Sequence, residues 1–249
     1  MKRLISCIVL AVLLAPAQLA AQAEAGSQVY VAYYKINYAD MAEWIAGHFE
    51  HEVPVLEQLR DEGIIQTWAI WQHSTGGEYN WRFSVIADDW SKFGTFWEEY
   101  LGRWEASAKE HFDRALRMIQ AHYDEVFDLT EVHFPEDAAP QYMFDSSYQI
   151  NFADMEEWNA NWATVVDPVL TKAMEDGLLA GWAIEGHNTG GRHNWKVLYF
   201  FDEWDQMDDL FARLEAAWGA EAALFERSAG MVDSHDDIIW TAVADPTGN

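Results

Sequence analysis

The chain has 249 residues, of which half are hydrophobic and 15% aromatic, enough apolar material for a packed core. Its 42 acidic residues outnumber its 15 basic ones, which gives a formal net charge of −27. A surface this acidic repels phosphate backbones and anionic lipids, so nucleic acids and membranes are poor expectations as partners.

The N-terminal residues are typical of a secretory signal peptide. Lys2 and Arg3 precede an apolar run that ends at Leu14, and small residues then lead to Ala23. The run is shorter than the roughly 20 residues that span a bilayer. We expect cleavage of residues 1–23, a periplasmic or secreted location, and no membrane attachment afterwards. Cys7 is the only cysteine, so disulfides and thiol chemistry are excluded from the mature chain.

The rest of the chain is a tandem repeat. A shift of 114 residues superposes YKINYADMAEW, from Tyr34, on YQINFADMEEW, from Tyr148, and also aligns five pairs of tryptophans. Tryptophan is too rare for this register to arise by chance. We expect a first repeat over residues 28–134, a Pro-rich acidic linker over 135–141 and a second repeat over 142–245.

Each repeat is predicted to run strand, helix, strand, strand, helix, strand. Alternation in VYVAYYKI predicts the first strand. Asp40, three residues before Glu43, predicts a capping box at the start of the first helix, and Asp154 does the same in the second repeat. Pro54 predicts a kink or break within that helix, and Gly63 suits its C-terminal end.

The second half of each repeat is predicted as a hairpin, a long helix and a strand. The hairpin turns at Thr-Gly-Gly. The last strand should begin near Tyr123 in the first repeat and near Asp236 in the second. An apolar stripe with spacings of three and four predicts the buried face of the long helix: Phe93, Trp97, Leu101, Trp104, Ala108, Phe112 and Leu116.

This βαββαβ order resembles the ferredoxin-like unit of the dimeric α/β-barrel superfamily, in which two four-stranded sheets pack face to face. The resemblance covers nearly the whole mature chain and includes the Pro-x-Leu and Gly pattern of PVLEQLRDEG and PVLTKAMEDG. The chain is similar to antibiotic-biosynthesis monooxygenases and NIPSNAP-type proteins. This resemblance implies an α+β fold in which two tandem ferredoxin-like repeats form an intrachain α/β-barrel pseudo-dimer.

Strand alternation divides the predicted sheet residues between two faces. Trp68, Ile70 and Trp81 should lie under the helices. Polar residues are then left for the inner face, and a buried polar group is costly unless it is paired or solvated, so the inner face predicts a pocket. We assign His73 and His187, tuned by Glu185, as candidate catalytic residues that move a proton. Candidate ligand-binding residues are Lys35, Trp71, Asn80, Arg82, Asn194 and Lys196.

A competing interpretation explains the repeated segments HSTGGEYNW and HNTGGRHNW as turn chemistry. Histidine, asparagine and paired glycines beside a hairpin commonly bond the loop backbone. Repetition favours this interpretation, because a duplicated domain keeps its turn in both copies, whereas an active site needs to survive in only one.

The segment HFEHE raises the question of a metal or cofactor. His48, His51 and Glu52 lie one turn apart on the first helix, a spacing that can present metal ligands. Two histidines on a solvated helix face are commonplace, and no third ligand can be named, so we assign no metal. The resemblance also leaves haem open, since several relatives bind it, but no ligand motif carries over and the cofactor is left undetermined.

The residues and the resemblance together favour a secreted small-molecule-binding barrel protein. The resemblance implies a cofactor-independent monooxygenase- or isomerase-like enzyme acting on an aromatic or apolar substrate. The alternatives are a non-catalytic binding or structural module and a haem-binding barrel protein. An open cavity with a titrating histidine would favour the enzyme, and a filled interface would favour the structural module. Further self-association is left open.

Overall fold

The structure of the protein is a computed structural model that describes residues 23–135 and 138–244. The predicted signal peptide, apart from Ala23, and two residues of the predicted linker lie outside the described residues. The strands are β1 (Gln28–Ile36), β2 (Thr67–Thr75), β3 (Trp81–Ala87), β4 (Ile119–His133), β5 (Tyr142–Ile150), β6 (Gly181–Thr189), β7 (Trp195–Phe201) and β8 (Val232–Ala242). The α-helices are α1 (Met41–Gly47), α2 (Val53–Asp61), α3 (Trp90–Met118), α4 (Met155–Val165), α5 (Asp167–Glu175), α6 (Gln206–Ala220) and α7 (Ala222–Ala229).

The eight strands form one closed antiparallel barrel in the order β1-β3-β2-β8-β5-β7-β6-β4. The last strand of each repeat joins the two halves, since β4 pairs with β1 and with β6, and β8 pairs with β5 and with β2. The α+β fold of two ferredoxin-like repeats in an intrachain barrel is thereby confirmed.

Three apolar cores follow from the alternation of the strands. One lies between the first repeat's helices and its sheet and contains Trp68, Ile70 and Trp81, as predicted. A second occupies the same place in the second repeat. The third fills the barrel interior and contains Trp71 and Phe127. The two faces of each strand therefore serve different cores.

The first helix of each repeat is irregular just before its proline: a π-helical turn joins α1 to α2, and Val166 separates α4 from α5. Pro54 lies in the first turn of α2, and Pro168 lies in the first turn of α5. Gly63 follows α2 with a φ of +71°, the left-handed conformation that suits a helix C-terminus. The capping-box prediction is wrong, because the backbone at Asp40 and Asp154 is already helical and neither side chain makes a capping hydrogen bond.

The second helix departs from the predicted stripe. It stays one segment in the first repeat, with a non-helical residue at Ala108, and it divides into α6 and α7 in the second. Leu101 and Leu116 are exposed, whereas Phe96 and Tyr100 take the buried positions. The buried face is centred about one residue away from the predicted stripe, and Ala108 interrupts its period.

The last strand of each repeat also begins earlier than predicted. β4 starts at Ile119 and β8 at Val232, four residues before the predicted starts. These longer strands extend the pairing by which the barrel closes. Within the described ranges, no helix has the length and apolarity that crossing a bilayer requires.

Candidate functional site

The two hairpin histidines bind their own turns. His73 Nε2 contacts the carbonyl oxygen of Gly76, and His187 Nε2 lies 2.7 Å from the carbonyl oxygen of Gly190. Both glycines have a positive φ, 87° and 85°, a conformation that glycine adopts readily. These contacts are the ones that the turn interpretation expects. A catalytic role for either histidine stays a prediction, with one ring nitrogen already engaged.

Asn80 and Asn194 hold the ends of neighbouring strands. The Asn80 amide accepts a hydrogen bond from the backbone N–H of Ile36 at 2.8 Å and donates to the carbonyl oxygen of the same residue at 2.7 Å. Asn194 makes the same pair of bonds with Ile150, at 2.8 and 2.6 Å. Both side chains are buried and engaged by backbone, so they fix the ends of β1 and β5.

The charged inward-facing residues meet inside the barrel. Arg82 Nη2 lies 3.3 Å from Glu185 Oε1. Lys196 Nζ lies 2.5 Å from Glu125 Oε2 and donates to the Tyr33 hydroxyl at 2.9 Å. All five side chains are buried, and each ion pair joins one repeat to the other. The structure therefore brings Arg82, Glu185 and Lys196 together, but it engages them with protein partners.

Two other predicted ligand-binding residues lie apart from this network. Trp71 is buried in the barrel core with its ring centroid 5.8 Å from that of Phe200. Lys35 is partly exposed, and its Nζ lies 3.6 Å from a carboxylate oxygen of Glu78. Sequence reasoning missed Glu125, although the alternation of β4 from Tyr123 onwards puts it on the inner face.

Burial sets the ionisation of the interior groups. It raises the pKa of the Glu185 carboxyl, against the opposing charges of Arg82 and Lys196. Burial alone would lower the pKa of Lys196, but Tyr33, Asp145 and Glu125 outweigh it, so the pKa rises well above its ordinary value. Lys196 is therefore charged at neutral pH and cannot accept a proton from a ligand.

An open cavity lies elsewhere, between the sheet and α3 of the first repeat. Its volume is about 510 Å³, within the range of small-molecule sites. We call it the helix-side cavity. It is lined by Tyr30, Tyr34, Trp44, His48, Glu52, Trp81, Phe83, Trp97, Tyr100, Leu101, Trp104, Leu116, Ile119, His122 and Asp124.

A buried polar cluster reaches this cavity from the turn between α1 and α2. Residues His48–Glu52 form a π-helical turn, a local irregularity that often marks functional sites. His48 Nδ1 lies 3.1 Å from Glu52 Oε2, which also accepts a hydrogen bond from the Tyr100 hydroxyl. His111 Nε2 lies 3.7 Å from Glu52 Oε1. His48 Nε2 has no hydrogen-bond partner among the described residues.

The surroundings of Glu52 keep it ionised. Burial works to raise the pKa of its carboxyl, but the charge of His48 and hydrogen bonds from His111, His48 and Tyr100 outweigh burial and lower the pKa to about 2. A buried carboxylate stabilises positive charge on the adjacent imidazole. The expectation of a solvated helix face is wrong for His48, which is buried against Trp81 and Phe83 of the sheet. Glu52 is buried as well and faces Tyr100 of α3.

The second repeat has an equivalent cavity without the polar cluster. This cavity has a volume of about 470 Å³. Trp162, Val166 and Leu214 occupy the positions of His48, Glu52 and Tyr100 there, and Phe225 occupies the position of His111. Each repeat therefore has its own cavity of this kind, and within the described residues only the cavity of the first repeat contains a buried histidine and carboxylate.

The helix-side cavity does not suit a metal or haem. Within residues 23–135 and 138–244, no group of three or more His, Cys, Asp or Glu side chains is arranged to hold a metal ion. A haem would bring two propionates, yet the lining contains Glu52 and Asp124 and no lysine or arginine to pair with them.

Comparisons of sequence find no match, since no protein-family profile and no curated protein matches this chain. Comparisons of structure do. A candidate monooxygenase from Lactobacillus acidophilus NCFM is similar with a TM-score of 0.57 and 10% identity, over 88% of this chain and 97% of that one. An anthrone oxidase-like protein has a TM-score of 0.54 and 8% identity, over 91% and 96%.

Chlorite dismutase from Candidatus Nitrospira defluvii is similar over an equally long stretch. One of its variants has a TM-score of 0.60 and 10% identity, over 92% of this chain and 95% of that one. These structures have the dimeric α/β-barrel fold of ferredoxin-like repeats. The described chain has that fold too, as the resemblance in the sequence predicted.

Proposed function

We propose that the protein is a small-molecule-binding enzyme, related in reaction type to cofactor-independent monooxygenases or isomerases, with the helix-side cavity as its site. The observation that carries this proposal is the polar cluster in one of two otherwise equivalent cavities. Buried polar groups are costly, and the second repeat maintains an equivalent cavity with Trp162, Val166 and Leu214 at the positions of His48, Glu52 and Tyr100. A cost accepted in only one repeat points to a role in chemistry, because folding does not require it.

The lining of the cavity favours a flat aromatic or apolar substrate. Rings of Trp44, Trp97 and Trp104, with several tyrosines, cover most of its wall. Aromatic faces of this kind bind planar rings through stacking and edge contacts. The polar cluster lies at one side of the cavity, so the C–H or O–H group of the substrate that loses a proton would lie against His48.

The proposed reaction begins with a proton transfer. A C–H or O–H proton of the substrate moves to His48 Nε2, and the electron pair of the broken bond stays on the substrate. Glu52, beside Nδ1, stabilises the imidazolium that forms. Return of the proton to another atom completes an isomerisation. Reaction of a substrate carbanion with dioxygen and one proton gives a hydroperoxide. The monooxygenase and anthrone oxidase-like names of two structurally similar proteins support this choice of reactions.

Anthrone in air is a suitable probe for this proposal. Anthrone and dioxygen yield anthraquinone and water, which absorbance follows, and quenching of the tryptophans measures binding. We expect His48→Gln to bind anthrone with nearly the wild-type affinity and to form product about 100-fold more slowly or worse. Trp162→Phe, at the equivalent position of the second repeat, is the matched control and should react at the wild-type rate. Equal rates for wild type and His48→Gln would disprove the role of His48.

The ion pairs inside the barrel favour the alternative of a non-catalytic module. They join the two repeats and leave the predicted inner-face residues engaged with protein. Under this alternative, His48→Gln and Trp162→Phe should behave alike, with no turnover in either. The periplasmic or secreted location is likewise a proposal, and it rests on the N-terminal sequence.

A further inference from the structure

A second type of cavity opens at one end of the barrel. Its volume is about 640 Å³, and it shares no lining residue with the helix-side cavity. The tips of both repeated hairpins line it, through residues 77–79 and 191–193. The buried residues Tyr33, Asp145 and Lys196 also line it. We call it the barrel-end cavity.

The buried charges beside this cavity do not balance. Among the described residues, the barrel interior holds two cations, each in an ion pair with a glutamate. Asp145 is a third carboxylate; it is 1% exposed and forms no ion pair there. Its Oδ1 accepts a hydrogen bond from the Ser147 hydroxyl at 2.8 Å. Arg82 and Lys196 lie close enough to attract Asp145, but each is already paired with a glutamate, so three interior carboxylates face two cations. A cation placed in the cavity would balance the third carboxylate.

Three tyrosine rings meet in the same cavity. Tyr33 and Tyr123 stack with centroids 5.0 Å apart, and Tyr79 lies 5.3 Å from Tyr123. The faces of aromatic rings attract organic cations. Lys196 Nζ already lies 5.2 Å from the centroid of Tyr33, so Tyr79 and Tyr123 are the rings left to select positive charge in a ligand.

His193 adds a polar group whose Nε2 forms no hydrogen bond among the described residues, although it lies 3.6 Å from Asp236 Oδ2. The side chain of His193 is 8% exposed and lines the cavity. Burial lowers the pKa of His193, against the opposing charge of Asp236, so the ring is neutral at neutral pH. A neutral imidazole can accept a hydrogen bond from an ammonium group.

We propose that the barrel-end cavity binds a small organic ammonium ion with Asp145 as its counter-ion. The tyrosine rings hold the body of the ligand, and the carboxylate of Asp237 at the lining adds to the attraction. An anion is disfavoured, because the cations at the cavity, Lys196 and Arg192, are already paired with carboxylates. This site is independent of the proposed enzyme site.

Calorimetric titration of the protein without residues 1–23 tests this proposal. Benzylammonium is the probe, and benzyl alcohol is its neutral analogue of similar shape. Benzylammonium should bind once per chain, about tenfold or more tightly than benzyl alcohol. Asp145→Asn should weaken benzylammonium about 10- to 100-fold and leave benzyl alcohol unchanged. Asp233→Asn removes the same charge from an exposed position of β8 and should change neither affinity.

Further measurements keep the outcome decisive. Should Asp145→Asn not fold, Tyr79→Leu at the half-buried hairpin tip should weaken benzylammonium about threefold to tenfold. Equal affinity for the two probes would overturn the proposal. So would an equal loss in Asp145→Asn and Asp233→Asn, which would reveal a general attraction to the acidic surface.

Discussion

Replacing Glu52 with glutamine removes the charge of the buried carboxylate and keeps its shape. Burial acts to raise the pKa of Glu52, but His48, His111 and Tyr100 lower it from 4.5 to about 2. A folded-state pKa below the unfolded one means that the group stabilises the fold above pH 4.5, and that this contribution is lost as the pH falls towards 2. At about 1.4 kcal/mol per pKa unit, the contribution is about 3 kcal/mol at pH 7 and about 2 kcal/mol at pH 3.5.

Urea unfolding of the wild type and of Glu52→Gln at pH 7 and pH 3.5, followed by tryptophan fluorescence, measures this contribution. Glu52→Gln should be less stable than the wild type by the stated amounts, with the smaller difference at the lower pH. Glu50→Gln is the control, since Glu50 is an exposed neighbour in the same turn and its loss should change stability by less than about 0.5 kcal/mol. A difference of the same size at both pH values would refute the assigned ionisation of the cluster.

Three further substitutions test the barrel. Arg82→Met should destabilise the fold by about 3–5 kcal/mol, because it leaves the buried Glu185 unpaired, and adding Glu185→Met should recover most of this loss in urea titrations. Gly191→Ala should lower the Tm more than Gly63→Ala: φ is positive at both, but a methyl group at Gly191 falls 1.6 Å from a buried carboxylate oxygen and one at Gly63 meets open space. Asn80→Ala should cost about 2 kcal/mol in the same titrations, since two backbone groups lose their partner.

The faces of the strands could be predicted from the sequence, and the pairs across the barrel could not. Alternation is set by the covalent geometry of a strand, so Trp68 falls under the helices and Arg82 inside wherever the strand lies. The partner of Lys196 is Glu125, 71 residues away on a strand of the other repeat. That pairing depends on how the barrel closes, which no local pattern encodes.

The polar cluster of the helix-side cavity also could not be predicted from a local sequence pattern. HFEHE identified His48 and Glu52 as residues with chemistry, but the regular helix period gave no reason to bury them. Their burial depends on the π-helical turn, in which an extra residue per turn is accommodated by packing against the sheet. The comparison with the second repeat could have helped, because apolar residues at equivalent positions indicate that these positions face a core.

Joining the repeats in one chain frees the barrel from symmetry. In a dimer of identical chains every interior charge occurs twice, so an unmatched charge at a single position cannot exist. Here Asp145 corresponds to Val31 and Arg82 to Lys196, and among the described residues the interior holds three carboxylates beside two cations. Covalent linkage likewise gives each molecule one helix-side cavity with the His48–Glu52 cluster and one without it, so either can change by mutation without an identical change in the other.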